Sequence, residues 1–269
     1  MTIFGSVSRN SDGDWTVSEN FHRHYNPGSD RSDQLSFVFH PGVVSTAAIS
    51  FQMDQFCGGP AFTSEGVVQA TIQATCFVRD VLIATPHGNV VVQDLKPGDL
   101  VLTADGRAAP VEWLGRQTIS TRFADPLRAL PIRIKAGALG ENRPARDLLL
   151  SPDHALLLGG ALIHAGALVN GTSIVRETNV PKVFTYYHVE LADHALILAE
   201  GVPAETFVDN VDRMAFDNWA EHEALYPQGK AIAELPYPRA KAARQVPIAV
   251  RKILAERAAL LAPAVVAAA

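Results

Sequence analysis

Residues 74–103 read ATCFVRDVLIATPHGNVVVQDLKPGDLVLT. Three short apolar runs follow Cys76: VLIAT, then NVVVQDL, then DLVLTA. Runs this short suit strands better than helices. Pro86-His87-Gly88 and Lys96-Pro97-Gly98-Asp99 divide them, and both are turn-forming clusters. Asp105-Gly106 then marks a hairpin within ADGRAAPVEWLGRQTIS. Later runs, PIRIKAG, RDLLL, ALLLGGALI, TSIVRE and VFTYYHVEL, keep the rhythm. The pattern predicts an all-β, compact fold of many short strands.

An internal echo suggests pseudo-two-fold symmetry. Asp153-His154-Ala155-Leu156-Leu157-Leu158 recurs as Asp193-His194-Ala195-Leu196-Ile197-Leu198, and a glycine follows each. Repetition at this scale indicates similar structural halves.

Composition sets bounds. The chain has 269 residues, 48% of them hydrophobic, with a net charge of -5, so it can bury a substantial core. No Lys/Arg block is present, so nucleic acid is not an expected partner. No apolar run approaches the roughly 18 residues of a transmembrane helix. The first residues lack the basic and apolar regions of a signal peptide. Two cysteines, Cys57 and Cys76, are too few for a disulfide framework.

The chemistry-bearing residues lie at fixed places along the β-rich region. Cys76 opens it. Ser151-Pro152-Asp153-His154 follows, and Tyr187-His188-Val189-Glu190-Leu191 leads to Asp193-His194 and Ala199-Glu200-Gly201. A cysteine with distant histidines is the sequence form of an activated thiol.

This ordered set, together with Cys76-Phe77 and the Asp94-to-Val101 turn region, resembles the Hint domain of inteins and Hedgehog processing modules. The likeness is greatest to the bacterial stand-alone branch and covers roughly half the chain. It implies a Hint-type β fold and self-processing at the Thr75–Cys76 junction. The Cys76 thiol would attack the Thr75 carbonyl, turning the peptide bond into a thioester. A small nucleophile (water, thiol or amine) would then release the upstream segment. His154 would protonate the leaving nitrogen, and Ser151 would orient His154 or bond the scissile amide. His188 stands where many relatives carry Asp. His194 would support the site, with Glu190 and Glu200 as lesser candidates.

Three departures stand out. Ser151 replaces the usual Thr but keeps a hydroxyl. Asp80-Val81 replaces the Gly-Thr that commonly follows the leading Cys. The stretch Val202–Phe207 lacks the His-Asn with which a splicing intein ends, so cleavage or transfer is expected and splicing is not. The alternatives are a catalytically degenerate Hint scaffold that presents the N-terminal segment, and a cysteine hydrolase acting in trans.

The expected organisation is an N-terminal segment (1–70, mostly β or loosely packed), a Hint domain (71–215) and a partly helical C-terminal tail (216–269). In the tail a helix follows Pro247, with Ile253, Leu254, Leu260 and Leu261 as a partial apolar face. The domain is expected to act on its own chain, with no cofactor and no metal. His22, His24, His40, His87, His164 and His222 receive no role. Without a signal peptide, the expected setting is the bacterial cytoplasm or non-classical secretion.

Overall fold

The structure, a computed structural model, describes residues 75–122, 124–207 and 216–262 in full. Upstream it describes the backbone of residues 3–9, 15–24, 30–39, 49–52 and 63–66. Cys57 and His40 lie outside the described residues. The chain divides into two compact units, Met1–Ala70 and Thr71–Ala269.

In the first unit, β1 (Ile3–Arg9), β2 (Trp15–His24) and β3 (Asp30–Phe39) form an antiparallel sheet in chain order. A second antiparallel pair joins β4 (Ile49–Gln52) to β5 (Thr63–Gly66).

The second unit begins with β6 (Phe77–Val78), β7 (Leu82–Thr85), β8 (Gly88–Val91), β9 (Leu100–Leu102), β10 (Ala108–Pro110) and β11 (Trp113–Ser120). The short helix α1 (Pro126–Ala129) follows, capped by Asp125, whose carboxylate accepts from the Leu127 N–H. Then come β12 (Ile132–Ile134), β13 (Leu148–Leu150), β14 (Ala155–Leu158), β15 (Ala161–His164), β16 (Ile174–Arg176), β17 (Val183–Glu190), β18 (Leu196–Ala199) and β19 (Val202–Glu205). The chain continues through α2 (Trp219–Leu225), β20 (Arg239–Ala240) and α3 (Ile248–Leu261). A six-stranded sheet runs β11-β17-β6-β13-β12-β16, a seven-stranded sheet runs β20-β15-β14-β19-β18-β7-β8, and β9 pairs with β10.

Each apolar run of the sequence becomes a strand, and the all-β expectation holds. The turn at Asp105-Gly106 joins β9 to β10. In β12 the outer isoleucines are buried and Arg133 is half-buried, the period-two pattern of a strand with one face on the core. The echoed segments form two hairpins of the same sheet, β14–β15 and β18–β19. Each turns through two residues of positive φ, Gly159-Gly160 and Glu200-Gly201. Such turns match the right-handed twist of paired strands. Glu200 holds the left-handed conformation because its buried carboxylate accepts from the Leu82 N–H and from Arg146, each at 2.8 Å.

The Asp80-Val81 departure also has a physical account. Asp80 lies at φ 71°, a region that Asp tolerates better than most residues. Gln93 secures the loop by a paired contact: its Oε1 accepts from the Asp80 N–H at 2.8 Å and its amide donates to Asp80 Oδ1 at 2.7 Å.

Residues 216–262 pack onto the β core. β20 adds a parallel strand beside β15. The helix after Pro247 is α3, but its contact face is corrected. Val250 and Leu254 are buried, whereas Ile253 and Leu260 are exposed. Positions 250, 254 and 261 line the face that meets the core, the spacing of successive helical turns.

Candidate active site around Cys76

Cys76 immediately precedes β6, which lies between β13 and β17. Antiparallel register pairs Phe77 with Leu150 on one side and with Tyr187 on the other. One step along each pairing, Ser151 and His188 fall opposite Cys76. Side chains alternate across a sheet, so Cys76 and Phe77 face opposite ways. Phe77 enters the main core with Tyr187 and Val189. Cys76 faces a smaller cluster of Trp113, Tyr186, Phe207, Phe216 and Ile232. Tyr186, His188 and Glu190 share that second face.

Ser151 holds Cys76 at both ends of its backbone. Its N–H donates to the Cys76 carbonyl at 2.8 Å, and its Oγ accepts from the Cys76 N–H at 2.9 Å. His188 reaches the other side of the junction. Its Nδ1 meets the Thr75 carbonyl oxygen and lies 3.4 Å from Thr75 Oγ1 and 3.9 Å from Cys76 Sγ. A carbonyl oxygen only accepts, so Nδ1 carries the proton. The His188 ring is wedged edge-on against Phe207, with centroids 4.8 Å apart.

His154 ends the turn that carries the chain from β13 to β14. Its ring lies 4.4 Å from that of Phe77. Nε2 is 3.0 Å from the Glu205 carbonyl oxygen, so the proton sits on Nε2. Nδ1 is buried with no hydrogen-bond partner among the described residues. Burial pushes the His154 pKa down, and the Glu205 charge and the Cys76 backbone pull the other way without overcoming it. Its resting form is therefore neutral, with a lone pair on Nδ1.

Cys76 is fully buried, and burial pushes its thiol pKa well above the ordinary range. The resting sulfur is a thiol.

His194 does not touch the sulfur. Its Nδ1 accepts from the Leu235 N–H at 2.9 Å, which leaves Nε2–H facing Glu205 at 3.5 Å. Glu190 and Glu200 belong to other networks. Glu190 binds His222 and Lys230, each at 3.0 Å, and Glu200 binds Arg146. His164 lies 3.3 Å from Asp153.

Two residues escaped sequence reasoning. Glu205 joins His154, His194 and Arg239. A carboxylate closing the apolar strand Val-Pro-Ala-Glu was the available signal. His222 secures Glu190, and no motif marks it. Among the described residues, no group of His, Cys, Asp and Glu is arranged to hold a metal ion. No described helix is long and apolar enough to cross a membrane.

Several solved structures are similar to part of the chain. A crystal structure of the MchDnaB-1 intein is 15% identical, covers 50% of this chain and 100% of its own, and gives a TM-score of 0.34. The gp41-1 intein is 12% identical, with coverage of 50% and 99% and a TM-score of 0.35. A bacterial intein-like domain from Clostridium thermocellum is 13% identical, with coverage of 50% and 99% and a TM-score of 0.36. No curated protein matches the chain. The family model described as the Hint domain matches residues 75–211, a little over half of the sequence, and the chain belongs to that family.

Proposed function

We propose that this Hint domain cleaves its own chain at the Thr75–Cys76 peptide bond. The observation that carries the reading is the grip on that single bond from both ends. Ser151 Oγ holds the nitrogen that must leave, and His188 Nδ1–H meets the oxygen that must take negative charge. Donors aimed at a developing oxyanion are the largest common source of acyl-transfer catalysis.

The proton inventory is compact. Cys76 Sγ attacks the Thr75 carbonyl carbon and loses its proton to His154 Nδ1, a buried nitrogen with no hydrogen-bond partner among the described residues. His188 stabilises the oxyanion. The C–N bond then breaks, and the His154 Nδ1 proton passes to the Cys76 nitrogen. One S–H and one C–N bond become one S–C and one N–H bond. A neutral imidazole suits both steps, because it accepts and returns a proton near neutral pH. The raised thiol pKa supports proton loss during attack rather than before it. Water or another small nucleophile then opens the thioester.

Intact mass spectrometry of the full chain tests this. The expected result is two fragments divided between Thr75 and Cys76, faster with added thiol, and none in Cys76→Ala. A wild-type chain that stays whole through prolonged incubation with thiol would sink the proposal. That result would favour the scaffold reading, for which the full burial of Cys76 is the specific support.

A further inference from the structure

Glu205 is a fully buried carboxylate at the end of β19. Its Oε1 accepts from the Ala155 N–H at 2.9 Å, on the residue next to His154. Arg239 Nη1 lies 2.9 Å and His194 Nε2 3.5 Å from Oε2. Burial alone pushes the Glu205 pKa up, but His194, His154, Arg239 and the Ala155 amide outweigh it, so the group stays ionised. A buried charge costs several kcal/mol, and a well-packed apolar residue would fill the same place with no such penalty. The backbone carbonyl of Glu205, not its side chain, fixes the His154 tautomer. The carboxylate therefore adds charge to a histidine already oriented.

We infer that the Glu205 carboxylate is a positioning group that works through His154, stabilising the imidazolium formed while the proton passes from sulfur to nitrogen. This rests on the self-cleavage reading. The groups facing His154 are Glu205, the Cys76 backbone and His164, and His164 opposes protonation. Those facing Glu205 are His154, His194 and Arg239, and Arg239 also pairs with Glu234 at 3.0 Å. Among the described residues, Glu205 is the carboxylate whose charge leads the pull of His154 toward its cation.

The test uses the full chain. In a Cys76→Ala background, which cannot cleave, the His154 ring is titrated by NMR. Glu205→Gln keeps the shape and is expected to move the His154 titration midpoint down by about one pH unit. Glu205→Asp should restore most of that change. With Cys76 present, Glu205→Gln should slow cleavage roughly tenfold at neutral pH and carry the acid limb of the pH–rate profile down with it. An unmoved His154 titration in folded Glu205→Gln overturns the inference, as does a rate loss equal at every pH. Should Glu205→Gln fail to fold, Arg239→Gln leaves the carboxylate less neutralised. It must then shift His154 upward, and no shift overturns the inference. A wild-type chain that never cleaves, with His154 still responding to Glu205, removes the self-cleavage reading and keeps the electrostatic coupling.

Discussion

Ser151 gives Cys76 both an acceptor and a donor, and only its Oγ can be removed without disturbing the strand pairing. Ser151→Ala leaves the Cys76 N–H buried without its partner, a loss of about 1–3 kcal/mol of stability. Because that N–H belongs to the nitrogen that leaves in the proposed cleavage, cleavage should also slow by roughly ten- to a hundredfold. Ser151→Thr keeps the hydroxyl and should cleave near the wild-type rate. Single-turnover cleavage measured beside thermal melts checks both. A Ser151→Ala chain that cleaves at full speed would remove Ser151 from the mechanism. At this scale motif order is informative: Ser151 and His188, far from Cys76 in sequence, meet the Thr75–Cys76 peptide bond, and His154 stands beside the Cys76 backbone. His194 and Glu205 were less legible. Their partners, Leu235 and Arg239, come from a stretch with no motif, and a buried carboxylate shows its purpose only once its neighbours are known.

The six-stranded sheet buries one face in the main core and turns its other face toward Phe207 and residues 216–232. Phe216 supplies much of that cover. Its ring meets Trp113 at 5.2 Å and His188 at 5.6 Å, and Gly115 has no room for a Cβ between Phe216 and Trp113. Around this cover Glu190 is held by Lys230 and His222, and Lys230 also donates to the Leu191 carbonyl at 2.6 Å. Lys230→Met strands part of the Glu190 charge in a fully buried place and should cost about 3–5 kcal/mol. Adding Glu190→Leu should recover much of that loss, since the uncompensated charge disappears. Urea midpoints of the single and double variants decide it. A double variant no better than Lys230→Met would show that the ion pair matters for shape rather than charge. The strands were legible because each apolar run is short and bounded by turn residues. The cover was not. Residues 216–232 scatter their apolar residues among polar ones without a strand or long-helix period, and their single helix, Trp219–Leu225, spans only two turns. Likewise the helical apolar face was misread by adjacency: Ile253 and Leu260 adjoin buried or packed positions but turn outward.

For the molecule as a whole, the buried site couples stability to pH from both sides. His154 has a folded pKa below its ordinary 6.5, chiefly through burial. The unfolded chain therefore binds this proton first as pH falls. The His154 contribution is complete above 6.5 and is lost as pH drops through the folded pKa. Glu205 has a folded pKa below its ordinary 4.5, because its partners outweigh burial. Its contribution has the same sign and is lost further down, below about 4.5. Cys76 behaves oppositely. Its folded pKa is raised above 9.0 by burial, so its contribution is complete below that value and fades as the unfolded thiol ionises. Stability should therefore form a plateau between about 6.5 and 9.0 and decline on either side. A tenfold change in a group's proton affinity on folding corresponds to about 1.4 kcal/mol. Urea unfolding of the Cys76→Ala chain across pH isolates the acid arm, and adding His154→Gln should flatten the part nearest 6.5 while leaving the part below 4.5. The alkaline decline should be present in a chain that retains Cys76, with His154→Gln included to block cleavage, and weaker after Cys76→Ala. An acid arm unchanged by His154→Gln would mean that this imidazole is not held neutral in the folded chain, and the proton route from sulfur to nitrogen would then lack its acceptor.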